Sequence, residues 1–110
     1  MEISVRKIDK TVIFDLSGDM DLGNTPAVRK AFLREVWENR APRVVINLSS
    51  VKYIDSSGVA SLVETLKASR DVGSRLILIG LSASAREVLQ LSRLLKIFEI
   101  YDNEEEALAA

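Results

Sequence analysis

Asp55-Ser56-Ser57-Gly58 places one carboxylate and two adjacent hydroxyls at the point where an apolar strand gives way to an amphipathic helix. Backbone N–H groups at a helix start have no intrahelical acceptor, and the helix dipole is positive there. A phosphate on either serine would meet favourable electrostatics. The same residues also fit a nucleophile, or a helix cap in which one serine caps and the other follows. Gly58 sits in the first helical turn, where glycine costs ~1 kcal/mol relative to alanine. A glycine at that position permits close approach by another backbone or a ligand. A second pair of carboxylates, Asp19 and Asp21, follows an earlier strand in the order Asp-Met-Asp. Phosphotransferases of the haloacid dehalogenase type use an Asp-x-Asp after a first strand. Against that stand the short chain and the want of a later lysine or paired acidic motif to complete a magnesium site. Loop solvation and turn formation account for Asp19 and Asp21 equally well.

The composition removes several chemistries. The 110 residues contain no cysteine and no histidine. Disulfide frameworks and thiolate metal sites are excluded, and a reducing compartment is compatible with the chain. Without histidine there is no Ser-His-Asp hydrolase. Fifteen basic and sixteen acidic residues are interspersed, giving a net charge of −1 and no basic stripe for direct nucleic-acid contact. No cofactor motif is visible. The N-terminal residues have no signal-peptide pattern. The longest apolar run, Leu76 to Leu81, is far shorter than the ~20 residues that span a bilayer. The expectation is a cytoplasmic protein without membrane insertion.

The elements that must hold these residues follow from periodicity. Residues 2–8 and 11–17 read as two strands joined by an Asp9-Lys10 turn. In the second, Val12, Phe14 and Leu16 alternate with Thr11, Ile13 and Asp15, so one face is expected to be better buried. Residues 18–24 read as a loop. Thr25 is expected to cap a helix with Pro26 at its first position. Val28, Phe32 and Val36 carry that helix to about Trp37, with Arg29, Lys30, Arg34, Glu35 and Glu38 as its solvated face. Trp37 is expected at the rim of the sheet.

Residues 43–48 and 75–79 are strands apolar on both faces, hence central and parallel. Between them, Val59, Leu62, Val63 and Leu66 mark the buried face of a helix that ends at Gly73. A helix over 82–92, a strand over 97–100 and a short helix after Asn103 complete the chain. The leucines of Leu91-Ser92-Arg93-Leu94-Leu95 are expected to cover one end of the core. The order β-β-α-β-α-β-α-β-α argues one α/β domain over residues 1–110. It should hold a mixed, mostly parallel sheet of four or five strands and about four helices, with the first strand antiparallel to the second.

Taken in order, three segments resemble a known family. They are Gly18-Asp19-Met20-Asp21; Val45-Ile46-Asn47-Leu48 with Tyr53-Ile54-Asp55-Ser56-Ser57-Gly58; and Leu91-Ser92-Arg93-Leu94-Leu95-Lys96-Ile97-Phe98. Together they look like the bacterial anti-sigma factor antagonists, single-domain members of the STAS (sulfate transporter and anti-sigma factor antagonist) family. The resemblance covers essentially the whole chain.

It implies a phosphoprotein that regulates transcription by partner switching. The serine directly after the aspartate, Ser56 here, would be phosphorylated by an anti-sigma factor that is an ATP-dependent serine kinase. The unphosphorylated form would bind that kinase and release the sigma factor. A metal-dependent phosphatase of the PP2C type would restore it. The docking face would comprise loop 19–24 and the first turns of the following helix, with Asp21, Asn24, Asp55, Ser57 and Gly58 as partner-binding residues. Ser56 should expose its hydroxyl, while Ser57 should turn toward the helix backbone. Arg93 departs from the pattern, since many members carry glycine there; local turn geometry should feel this more than the switch. The alternative role in the same family is an accessory subunit of a membrane lipid or anion transport system.

Overall fold

The computed structural model describes residues 1–110. Five strands form one sheet: β1 (Glu2–Ile8), β2 (Thr11–Met20), β3 (Arg43–Ile54), β4 (Arg75–Ile79) and β5 (Glu99–Tyr101). They lie side by side in chain order, β1-β2-β3-β4-β5. β1 is antiparallel to β2, and every other neighbouring pair is parallel. Four helices connect or follow them: α1 (Thr25–Leu33), α2 (Ser56–Val72), α3 (Ala83–Leu91) and α4 (Glu104–Ala109). The α/β class, the mixed sheet, the antiparallel start and the parallel β3–β4 pair match the sequence expectation.

The sheet buries both faces, unequally. Val12, Phe14 and Leu16 share one face with Val44, Ile46, Leu48, Leu76 and Leu78. Against them pack Val28 and Phe32 of α1, Val59, Leu62 and Leu66 of α2, and Ala85 and Leu89 of α3. Phe14 and Phe32 meet edge-on, centroids 5.0 Å apart at 79°, the arrangement their ring quadrupoles favour. The opposite face is small: Ile13, Val45, Ile77 and Ile79 lie under Ala107 of α4. Ile13 is therefore as buried as Phe14, and β2 does not have the one well-buried face its alternation suggests.

Several boundaries differ from expectation, each for a local reason. β2 continues through Gly18-Asp19-Met20, which the turn-forming residues had marked as loop. Two register shifts against β3, at Asp15/Ser17 and at Gly18/Asp19, let the strand bend and keep its partner. Gly18 takes φ +113°, a conformation open to glycine. β3 likewise runs to Ile54, six residues past the expected end.

Thr25 is the first residue of α1 rather than its cap. Asn24 stands at the cap position and gives no side-chain cap bond. After Leu33 the helix widens into a π turn over Arg34–Glu38. The extra residue per turn rotates the side chains that follow. Glu35 is consequently buried, 8% exposed and with Oε2 unpartnered, instead of solvated. Trp37 is 43% exposed on this turn. Leu91, the last residue of α3, is 77% exposed, so only Leu94 and Leu95 of the Leu91–Leu95 segment cover the core. A single 3-10 turn occupies Leu95–Ile97, which delays β5 to Glu99.

Candidate functional site

The site forms where the far ends of β2 and β3 meet the start of α2. The extension of β2 is what builds it: Met20 C=O accepts the Asp55 N–H at 3.0 Å. This fixes the helix start against the strand end. Gly58 lies beneath the junction and is buried. A Cβ there would stand 2.7 Å from Ile54 Cγ1, 2.8 Å from Met20 O and 2.9 Å from Met20 Cβ. The close approach its sequence position suggested is therefore made by the chain's own β2, not by a ligand. Gly58 shapes the surface from below and does not line it.

Asp55, not a serine, caps α2. Its extended backbone (φ −101°, ψ −174°) turns the carboxylate back over the first turn. Oδ1 accepts from Ser57 N–H at 2.9 Å, Gly58 N–H at 3.0 Å and the Ser57 hydroxyl at 2.5 Å. Oδ2 accepts from Leu22 N–H at 3.1 Å. One carboxylate thus ties the helix start to the loop after β2. These bonds, the Ser57 hydroxyl foremost and the Gly58 N–H next, hold the Asp55 carboxyl below its ordinary value of 3.8.

The loop is internally braced. Asp21 Oδ1 accepts the Asn24 N–H at 3.0 Å, and the Asn24 amide donates to Asp19 O at 3.0 Å. Thr25 is buried, and its hydroxyl donates to Asp21 O at 2.6 Å. It stands 3.1 Å from Ser57 Oγ.

The two serines are unalike. Ser57 is half-buried; its one hydroxyl proton goes to Asp55, and the Thr25 proton goes to Asp21 O. Its hydroxyl turns to the Asp55 side chain, not to the helix backbone as expected. Ser56 is exposed, and its hydroxyl enters none of these bonds. Leu22, in the loop after β2, is 74% exposed, and Tyr53, paired with Asp19 near the end of β3, is 54% exposed. The sequence singles out neither Tyr53 nor Thr25 as a site residue, and it offers Leu22 only as part of loop 19–24. A signal for Leu22 and Tyr53 exists: apolar residues directly beside the Asp-Met-Asp and Asp-Ser-Ser-Gly segments. Thr25 was noticed only as a cap candidate.

Residues 2–107 match the STAS domain. The chain belongs to the STAS domain family. Among curated relatives, the anti-sigma-B factor antagonist of Listeria monocytogenes is 34% identical over 107 residues, spanning 96% of this chain and 91% of that protein. A crystal structure from Thermotoga maritima, named as a candidate anti-sigma factor antagonist, superposes with a TM-score of 0.92. It is 25% identical, over 97% of this chain and 92% of that one. The Bacillus antagonist SpoIIAA in its phosphorylated form shares the fold at a TM-score of 0.77 and 24% identity, covering 98% of this chain and 97% of its own. This STAS domain thus stands among anti-sigma factor antagonists, which are regulatory proteins rather than enzymes. No helix in it is long and apolar enough to cross a membrane.

Proposed function

We propose that this STAS domain, over residues 1–110, is a cytoplasmic anti-sigma factor antagonist switched by phosphorylation of Ser56. Unphosphorylated, it binds a cognate anti-sigma factor that is also an ATP-dependent serine kinase, and the sigma factor is released. Phosphorylated, it lets go, and a PP2C-type phosphatase returns it to the binding form. The observation that carries the choice of residue is the contrast between the serines. Ser56 presents a free hydroxyl on the surface, whereas Ser57 has its proton engaged by Asp55 and its oxygen half-buried against Thr25. The docking face comprises the Asp21–Asn24 loop and the start of α2, with Leu22 and Tyr53 as its apolar contacts. The protein itself catalyses nothing in this scheme; it is substrate and ligand.

Phosphorylation adds roughly −1.5 to −2 charges at pH 7. None of the hydrogen bonds at the site comes from an arginine or lysine. In a closed complex the dianion must be desolvated without a partner on this side, at several kcal/mol. Each 1.4 kcal/mol is tenfold in affinity.

Mass spectrometry after incubation with the cognate kinase and ATP tests the assignment. Phosphate should map to Ser56, and Ser56→Ala should stay unmodified while binding the kinase constitutively. Ser56→Asp should bind at least about tenfold more weakly. Phosphate on Ser57, or a Ser56→Ala protein modified as fast as the wild type, would refute it.

A further inference from the structure

One carboxylate of the molecule is buried without a partner, and it belongs to the π turn. That turn, Arg34–Glu38, carries an extra residue and directs Glu35 inward. Asn39 N–H to Arg34 O and Ala41 N–H to Glu35 O, both at 3.1 Å, hold the chain that leaves it. Glu35 is 8% exposed, its Oε2 has no donor within the chain, and it enters none of the ion pairs. A carboxylate taken out of water with no donor is strongly disfavoured. A side chain placed in this way calls for a cation.

Glu35 lines a cavity of about 140 Å³ between the π turn and the Asp9-Lys10 turn that joins β1 to β2. The cavity lies where β2 begins, at the opposite end of that strand from the Ser56 site. Lys7, Asp9 and Lys10 also line it, and all three are exposed. Neither lysine is in an ion pair. The cavity therefore has a buried negative wall and an exposed rim of two positive charges and one negative. A bare cation is attracted by Glu35 and repelled by the rim. An anion is attracted by the rim and repelled by Glu35. A molecule that carries both charges a short distance apart meets neither penalty. One water fills about 30 Å³ of liquid, so the cavity admits on the order of five non-hydrogen atoms. That is the size of an amino acid's charged core: its nitrogen, Cα, carboxyl carbon and two oxygens.

We propose that this cavity binds a small α-amino acid, its ammonium on the Glu35 carboxylate and its carboxylate at the Lys7 and Lys10 rim. The proposal stands apart from the reading of Ser56. Titration of the isotope-labelled protein with L-alanine, methylammonium or acetate tests it, read at the amide resonances of Val12, Asn39 and Ala41, which border the cavity. L-alanine should move them saturably in the millimolar range, and each single-charge probe should bind at least about tenfold more weakly. Glu35→Gln keeps the shape and removes the charge, and should weaken L-alanine at least about tenfold. Lys7→Ala combined with Lys10→Ala should weaken L-alanine yet strengthen methylammonium, an inversion that mere damage to the fold does not give. These exposed positions carry the test if Glu35→Gln does not fold. L-alanine that moves none of the three amides at about 100 mM would overturn the proposal. So would equal affinity for L-alanine and methylammonium. So, too, would a Lys7 or Lys10 ammonium resonance that shifts between the ligand-free wild type and ligand-free Glu35→Gln, because the chain would then fill the site with its own lysine.

Discussion

At the scale of single residues, neighbours in sequence have opposite fates because of where one carboxylate points. Ser56 and Ser57 are the same residue type one peptide apart. Asp55 Oδ1 takes the proton of one and leaves the other free. Gly58 completes the site by what it omits. Alanine would ordinarily favour a helix interior by up to ~1 kcal/mol, yet its Cβ would lie within 3 Å of Met20 O and Ile54 Cγ1. The backbone oxygen cannot retreat without losing its bond to Asp55 N–H. Gly58→Ala is therefore expected to destabilise the fold by about 1–3 kcal/mol, as overpacking does. Urea denaturation followed by circular dichroism gives the number, and a variant as stable as the wild type would show that β2 can withdraw.

Among the elements, the helix ends record how much of the chain was readable. Gly73 after α2, Ser82 before α3 and Asn103 before α4 all act as their residue types announce. Asp55 was legible as an acid beside the two serines but not as the cap, because serine and aspartate cap equally well and only the backbone angle at Asp55 decides. The strand extensions at Gly18–Met20 and Ser49–Ile54 were hidden because local turn chemistry was outweighed by pairing between β2 and β3. The π turn that buries Glu35 has no simple sequence mark. The site's residues were thus visible, while the braces that hold them, Met20 O and Leu22 N–H, belong to the backbone and leave no trace in side-chain identity.

Arg93 shows the reverse case, a departure whose geometry was foreseen. It sits just past the end of α3 at φ +59°, where a glycine would be unstrained. Arg93→Gly should raise stability by about 0.5–1 kcal/mol, the left-handed penalty less the added freedom of the unfolded chain. A lower urea midpoint would mean that the arginine side chain contributes more than its backbone angle costs.

Across the whole molecule, the thinly covered face of the sheet is held by charge as well as by apolar contact. Arg6 of β1 donates to Asp15 of β2 at 2.5 and 3.1 Å and to Glu104 of α4 at 2.5 Å, while Asn47 of β3 donates to Asp15 at 2.8 Å. The Arg6 guanidinium, more than any other group, holds the Asp15 carboxyl below its ordinary value of 3.8. A carboxyl depressed in the folded state contributes stability that is fully present above its unfolded value. It is lost as pH falls through the lower, folded value. Wild-type stability should thus decline from about pH 4 downward, and the decline should be shallower in Asp15→Asn. Denaturation midpoints between neutral and acidic pH measure this; parallel curves for the two proteins would mean that Asp15 titrates alike folded and unfolded. The sequential strand order bears on assembly in time rather than on the finished state. β2 folds back on β1 through a two-residue turn, and each strand from β3 onward lies beside its predecessor, joined by a helical connection. The chain can therefore add strands at one edge as they emerge, without inserting any between two already paired, and the loop to be closed at each step stays short. Early order should gather on β2, α1 and β3 and spread outward, with β5 and α4 joining last. Pulse-labelled hydrogen exchange during refolding should show β2 and β3 amides protected before those of β5, and simultaneous protection throughout would point to a single concerted step.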